Sequence, residues 1–141
     1  MTEQLSVFLD NRPGSLRALV ATLADNKIDM KALSIADAAD YGIARILVRD
    51  PETVSKLLLS HGYVCRINHV LAVSADDTPG GLSRVVDLLG EYNINISYMY
   101  AFVLPETRTA CAVIRVKDHA RAEKLLASSG IRLVGDSEIF G

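Results

Sequence analysis

The sequence has 141 residues, half of them apolar and 23% charged, and its formal net charge at pH 7 is −2. This composition predicts one ordinary domain or two small ones with an ample apolar core, and it excludes a disordered chain. The balance of 15 basic and 17 acidic residues argues against a protein that binds nucleic acid by neutralising phosphates. No apolar run approaches the roughly 20 residues that a membrane-spanning helix needs.

The cysteines and the N-terminus indicate the compartment. Met1–Gln4 carries an acid where a signal peptide would carry its basic segment, so we expect no export signal. Cys65 and Cys111 lie in apolar, strand-like stretches without a CxxC spacing. We therefore expect two buried free thiols and a reducing, cytoplasmic location.

The chain contains an internal duplication. The segment Asp10–Leu16 reappears as Asp76–Leu82, an offset of 66 residues, and apolar positions spaced i, i+3, i+4 and i+7 follow in both copies. That spacing is typical of a helix with one face on a core. Further along, residues 50–62 match residues 118–130 at an offset of 68. The duplication predicts two units, residues 1–68 and residues 69–141.

Each unit has the predicted element order strand, helix, strand, strand, helix, strand. An alternating strand comes first, and Pro-Gly then opens a helix, with proline presetting φ near the helix start. Asp50 and Asp118 are predicted helix N-caps, and Gly62 and Gly130 suit the left-handed residue after each helix. The predicted helices lie near residues 14–25, 51–61, 80–92 and 119–129, and the fourth strands begin near Tyr63 and Ile131.

This order predicts a four-stranded antiparallel sheet in each unit, with both helices on one face. In the second unit the other face is apolar as well, because Tyr98, Tyr100 and Phe102 alternate with further apolar residues. Unpaired edge strands are a liability that proteins usually remove by pairing. We therefore expect the sheets of the two units to be joined, within the chain or across a dimer.

Candidate binding residues lie at the two Pro-Gly turns. A helix N-terminus presents unpaired amides and a positive dipole end, which suit a carboxylate or phosphate, and a glycine without Cβ lets a ligand approach the backbone. A plain strand-to-helix turn is the alternative, and neither turn carries a GxGxxG or GK[ST] fingerprint. The candidates are Asn11, Arg12, Pro13, Gly14, Ser15 and Leu16 in the first unit, and Asp77, Thr78, Pro79, Gly80, Gly81 and Leu82 in the second.

A third candidate segment, Asn95, Ile96 and Ser97, opens the second strand of the second unit. We expect this strand to run beside the first strand and to end near the Pro-Gly turn. An asparagine offers both a donor and an acceptor, which suits an ammonium together with a carboxylate. A solvated strand start is the alternative.

Groups that could carry catalysis are few. His61, His69 and His119 stand in three different contexts, and no His/Cys spacing of a metal site and no Gly-x-Ser-x-Gly nucleophile turn occurs. We therefore predict no catalytic residue, no metal and no cofactor.

The motifs LSVFLDNRPGSL, NKIDMKALSIAD and TPGGLSRVVDLLGEYNINI together resemble ACT domains, the small regulatory modules that bind amino acids. The resemblance covers residues 4 to 140, and the tandem layout resembles stand-alone proteins made of two ACT units. It implies an α+β, ferredoxin-like βαββαβ fold in two tandem copies with joined antiparallel sheets. It also implies an amino acid or similar small carboxylate ligand at the seam between units, a homodimer, and a regulated protein in trans.

Three other functions compete with this interpretation. An RNA-recognition module shares the element order, but its stacking aromatics are missing from both third strands. A small ferredoxin-like enzyme of mutase or isomerase type would need a positioned acid, base or nucleophile. A structural subunit without ligand is the third.

Overall fold

The computed structural model describes residues 2–75 and 78–141, which divide into two compact units. One is Glu3–Asn68, and the other is His69–Gly141 together with Thr2. The elements of the first unit are β1 (Thr2–Asp10), α1 (Ser15–Asp25), β2 (Met30–Ala38), β3 (Tyr41–Val48), α2 (Pro51–Ser60) and the beginning of β4 (Val64–Ala75). Those of the second are the remainder of β4, α3 (Gly81–Glu91), β5 (Ile96–Val103), β6 (Ala110–Val116), α4 (His119–Ser128) and α5 (Asp136–Phe140).

The strand order in the first unit is β2-β3-β1-β4, and in the second it is β4-β6-β5. In the first unit β3 pairs antiparallel with β1 and with β2, and in the second β6 pairs antiparallel with β4 and with β5. The ferredoxin-like α+β prediction is confirmed. The expectation that the second strand runs beside the first is wrong, because the third strand lies between them in both units.

Each unit has a core between its sheet and its two long helices. In the first unit Leu5, Val7 and Leu9 of β1 pack with Leu19 and Leu23 of α1. The second unit repeats the arrangement with Leu71, Val73, Val85 and Leu89. The apolar spacing seen in the sequence therefore marks the helix faces that are buried.

The end of the second unit departs from the repeat. Instead of a full fourth strand from Ile131, Leu133 forms a single bridge with Val73, and the unpredicted helix α5 follows. Ile139 of α5 is fully buried in a second cluster with Ala72 and Cys111. Ala72 and Cys111 alternate along their strands with residues that face α3 and α4. Helix α5 therefore packs on the opposite face of the sheet.

Both predicted aspartate N-caps are confirmed. The side chain of Asp50 accepts a hydrogen bond from the Thr53 amide, and that of Asp118 accepts one from the Arg121 amide at 3.2 Å. After the helices, Gly62 and Gly130 adopt φ of 86° and 79°, the left-handed conformation that was expected.

Replacing Asp118 by alanine is expected to lower the free energy of unfolding by about 1 kcal/mol, since an Asp cap satisfies an otherwise unpaired helix amide. Asp118→Asn keeps an oxygen acceptor at the same place and serves as the matched control. Urea unfolding followed by circular dichroism measures both variants. Equal losses in the two would show that the cap is not the source of the effect.

Candidate binding clefts

A cleft of about 560 Å³ lies in the first unit where β1 ends and α1 begins. β1 and β4 are neighbouring strands, and Gly62 and Tyr63, which lie between α2 and β4, line the cleft together with the Pro-Gly turn. The Pro-Gly turn therefore faces the start of β4. The lining residues, called the first cleft from here on, are Phe8, Leu9, Asp10, Arg12, Pro13, Gly14, Ser15, Ala18, Gly62 and Tyr63.

An equivalent cleft of about 460 Å³ lies in the second unit. Most of its lining residues follow from those of the first cleft by the offsets of 66 and 68 residues. The lining residues, called the second cleft, are Ser74, Thr78, Pro79, Gly80, Gly81, Arg84, Val85, Gly130, Ile131 and Arg132.

The glycine of each turn has a left-handed backbone. Gly14 has φ of 91° and Gly80 has φ of 88°, and each is the N-cap of its helix without a side-chain hydrogen bond. A Cβ on either glycine would meet no heavy atom within 4 Å. Glycine is therefore required by the backbone conformation, and the space in front of the turn is open. Each proline lies one position before the N-cap, near the helix start as the sequence predicted.

The polar side chains of the first turn are held by nearby groups. Arg12 Nη2 lies 3.3 Å from Asp10 Oδ2, and the two side chains are 73% and 75% exposed. Asn11 Nδ2 donates to Asp37 Oδ1 at 2.8 Å, which ties the turn to the end of β2. Arg12 is thus at the rim of the first cleft, while Asn11 points to the neighbouring hairpin.

The predicted turn residues are divided between the clefts and the surrounding surface. Leu16 and Leu82 are 37% and 38% exposed and do not line either cleft. Asp77 lies outside the described residues. The predicted residues that line a cleft are Arg12, Pro13, Gly14 and Ser15 in the first, and Thr78, Pro79, Gly80 and Gly81 in the second.

Asn95, Ile96 and Ser97 lie at the opposite end of the sheet from the turn of their own unit. Ile96 pairs with Val116, whereas Ala75, the last residue before the turn, pairs with Ala110. Six residues of a strand span about 20 Å. One small ligand cannot touch both groups within a single unit, which corrects the expectation that they are close.

Other lining residues were not predicted from the sequence, among them Phe8 and Tyr63 in the first cleft and Arg84 and Arg132 in the second. The alignment of Gly62 with Gly130 was a usable signal, since the residue after each glycine, Tyr63 or Ile131, lines the cleft of its unit. It was used only to place the helix ends.

Comparison with known proteins identifies the family. A family model described as an ACT domain pair matches residues 1–140. The chain belongs to the ACT domain pair family. None of the curated proteins matches the chain.

Solved structures resemble this ACT pair over nearly its whole length. A protein from Bacteroides thetaiotaomicron is 32% identical, with a TM-score of 0.88 over 99% of this chain and 95% of that one. The ligand-free regulatory subunit of aspartate kinase from Thermus thermophilus is 13% identical, with a TM-score of 0.65 over 92% and 91% of the two chains. The corresponding subunit from Thermus flavus is 14% identical, with a TM-score of 0.63 over 91% and 90%. At these identities the two kinase subunits support the fold alone.

The titratable groups of the ACT pair form no metal site among the described residues, where no three His, Cys, Asp or Glu side chains come together. His119 Nε2 lies 3.2 Å from Glu123 Oε2, and its ring centroid is 6.2 Å from that of His69. Burial lowers the pKa of His119, and the carboxylate of Glu123 opposes that shift. His119 is the first residue of α4, and His69, His119 and Glu123 line neither cleft.

The two cysteines are free, but only Cys111 is fully buried, while Cys65 is half-buried. Burial, with a smaller contribution from the charge of Glu138, raises the pKa of the Cys111 thiol to about 12, and Arg132 acts in the opposite direction. Burial also raises the pKa of Cys65. The described residues contain no helix long and apolar enough to cross a membrane.

At pH 7.5 a maleimide is expected to label Cys65 in the folded ACT pair and to leave Cys111 unlabelled, because the thiolate is the reactive form and α5 covers Cys111. Mass spectrometry of the digested protein measures the two sites separately. Labelling in denaturant is the control, and both sites should react there. Fast labelling of Cys111 in the folded protein would contradict the burial described above.

Proposed function

We propose that this ACT pair is an amino-acid-sensing regulatory protein, which binds an amino acid or a similar small carboxylate and acts by changed assembly or changed partner binding. The observation that carries the proposal is the match to the ACT domain pair family over residues 1–140. Two further structures with this fold are regulatory subunits of aspartate kinase. The protein regulated by this chain would be another polypeptide.

A seam between ACT units of two copies of the chain is the proposed place of the ligand. Asn95–Ser97 and the Pro-Gly turn are too far apart within one unit to share a small ligand, but a second copy can bring one unit's strand start to another's turn. The strand β2, with Leu33 and Ile35 40% and 49% exposed, is an outer strand of its sheet. Outer strands with exposed apolar residues favour pairing, so we infer a homodimer.

We infer a non-enzymatic mode of action. The clefts offer charged side chains and turn amides, and we assign no acid, base or nucleophile to them. A ligand shifts a conformational or assembly equilibrium only through different affinities for the two states. A site whose walls come from two copies provides such a difference. The free thiols Cys65 and Cys111 favour a reducing compartment, and we infer the cytoplasm.

The test holds the purified protein with each common amino acid, follows the amino acid by NMR, and measures the molar mass by light scattering. We expect an unchanged amino acid and a ligand-dependent shift in molar mass or dimer stability. Chemical conversion of the amino acid would instead indicate the mutase or isomerase alternative. Binding without any change in assembly or partner affinity would leave the seam without a function.

A further inference from the structure

Two arginines of the second unit connect its long helices at both ends. Arg84, the fourth residue of α3, donates from Nη2 to the carbonyl of Ser129, the C-cap of α4, at 3.0 Å. Arg121, the third residue of α4, donates from Nη2 to the carbonyl of Tyr92, the C-cap of α3, at 2.7 Å. Hydrogen bonds from a charged donor are strong, and a cation is favourable at the carbonyl end of a helix. Each helix therefore holds the end of the other.

The helices of the first unit end on local contacts instead. Nδ2 of Asn26, the C-cap of α1, donates to the Thr22 carbonyl at 2.8 Å. Nδ1 of His61, the C-cap of α2, lies 3.0 Å from the carbonyl oxygen of Leu57. In both cases the carbonyl belongs to the helix that the side chain closes. Each helix of the first unit is thus capped within itself.

The residues that replace the two arginines in the first unit cannot connect its helices in the same way. Arg84 corresponds to Ala18, which has no donor in its side chain. Arg121 corresponds to Thr53, whose hydroxyl donates to Asp50 Oδ2 at 2.7 Å in the cap of its own helix. The helices of the two units bury corresponding residues in their cores. The bonds between the helices therefore distinguish the second unit from the first.

The start of α1 is tied to the outer strand β2. Asn11, in the turn before α1, donates from Nδ2 to Oδ1 of Asp37, the last residue but one of β2, at 2.8 Å. The residue equivalent to Asp37 in the second unit is Val103 of β5, whose side chain has no acceptor. A displacement of the turn therefore acts on the outer strand in the first unit, and β5 offers no side-chain acceptor at the same position.

We propose that α1 and β2 form the moving element of this ACT pair, while α3 and α4 move as one fixed body. An amino acid bound at the seam shifts α1, which has no arginine bond to α2. The bond between Asn11 and Asp37 passes the shift to β2, the strand through which we infer that two copies pair. This role for α1 and β2 rests on the proposed function and names the route by which a bound amino acid changes assembly.

Hydrogen exchange of the full chain, followed by mass spectrometry, tests the fixed body. Arg84→Gln should speed exchange along the whole of both α3 and α4 by about threefold, because it removes one of the two bonds that make the helices open together. The matched variant of the first unit is Asn26→Ala, which removes a cap within one helix and should speed exchange in α1 but not in α2. Lys124→Gln removes an exposed cation from α4 and is the control for the lost charge.

Faster exchange only at the end of α4 in Arg84→Gln would overturn the fixed body. Equal changes in α1 and α2 of Asn26→Ala would overturn the difference between the units, as would an effect of Lys124→Gln as large as that of Arg84→Gln. These measurements use the protein without an amino acid. The proposed function would therefore survive each of these results.

Asp37→Ala tests the route from α1 to β2. Asp37 is exposed and lines neither cleft, so the variant should fold and bind. With a mixture of the common L-amino acids, the original protein should shift its molar mass in light scattering, and Asp37→Ala should lose most of that shift. Asp37→Asn keeps the Oδ1 acceptor and should retain the shift. Asp40→Ala, in the turn of the same hairpin, is the matched control and should behave like the original protein.

A full shift in Asp37→Ala would overturn the route through β2. A rise in Tm without any shift in the original protein would overturn it as well. Binding persists in both cases, so an amino-acid-binding protein remains. If the mixture changes neither the Tm nor the molar mass of the original protein, the proposed function fails and the route fails with it.

The hydrogen-exchange result separates these outcomes further, because the fixed body of α3 and α4 is measured without any amino acid.

Discussion

Replacing Leu89 by alanine is expected to lower the free energy of unfolding by about 2–5 kcal/mol. Leu89 of α3 is fully buried in the core of the second unit, between the helix and the sheet. Its removal loses apolar contacts and leaves a cavity that the surrounding side chains fill only in part. Urea unfolding gives the change directly.

The duplication provides a matched pair for this experiment. Leu23 is the equivalent residue of the first unit and is 1% exposed, so Leu23→Ala should show a loss of the same size. The exposed Val103, 62% accessible, is a surface control, and Val103→Thr should change the stability by less than about 0.5 kcal/mol. A loss below 1 kcal/mol for Leu89→Ala would contradict the core described here.

Replacing Gly80 by valine is expected to lower the free energy of unfolding by about 1–3 kcal/mol, because a β-branched residue is strained at positive φ. Gly80 has φ of 88°, and a Cβ there meets nothing within 4 Å. The loss comes from the backbone conformation and not from a steric clash. Gly14→Val in the first unit, at φ of 91°, should have a similar effect.

A stability change for Gly80→Val below about 0.5 kcal/mol would contradict the left-handed conformation of the turn.

The Gly80→Val substitution combines backbone strain with any effect on a ligand, so it is a poor probe of binding. The exchange of Ser15 and Gly81 between the units is a better one. Both residues are the first of their helices, and Gly81→Ser places in the second unit a side chain that the first unit already accommodates.

The sequence predicted the helices well because their signals are local. Aspartate caps, apolar spacing and glycine stops each act within a few residues, and α1 and α3 begin and end within a residue or two of the predicted positions. The sheet order was partly wrong because alternation indicates which face a side chain is on and not which strand is its neighbour. Helix α5 was missed because five residues are too few for a periodic pattern.

The candidate site was predicted only at its turns. The residues facing the turns, such as Tyr63 in the first cleft, are far away in sequence and come close only through the pairing of β1 with β4. The hydrogen bonds that Arg84 donates to the Ser129 carbonyl and Arg121 to the Tyr92 carbonyl were not predictable, because backbone carbonyls have no signature in the sequence. The difference between Ala18 and Arg84 was visible in the alignment of the repeats, but its meaning required the fold.

A thermal-shift screen of the full chain against the common amino acids tests the central claim most directly. Specific binding to the folded state at about 100 times Kd stabilises it by about 2.7 kcal/mol, which for a chain of this length raises Tm by roughly 5–15 °C. We expect such a rise for a small set of amino acids, in proportion to the logarithm of their concentration. An unchanged Tm with every amino acid at millimolar concentration would contradict it.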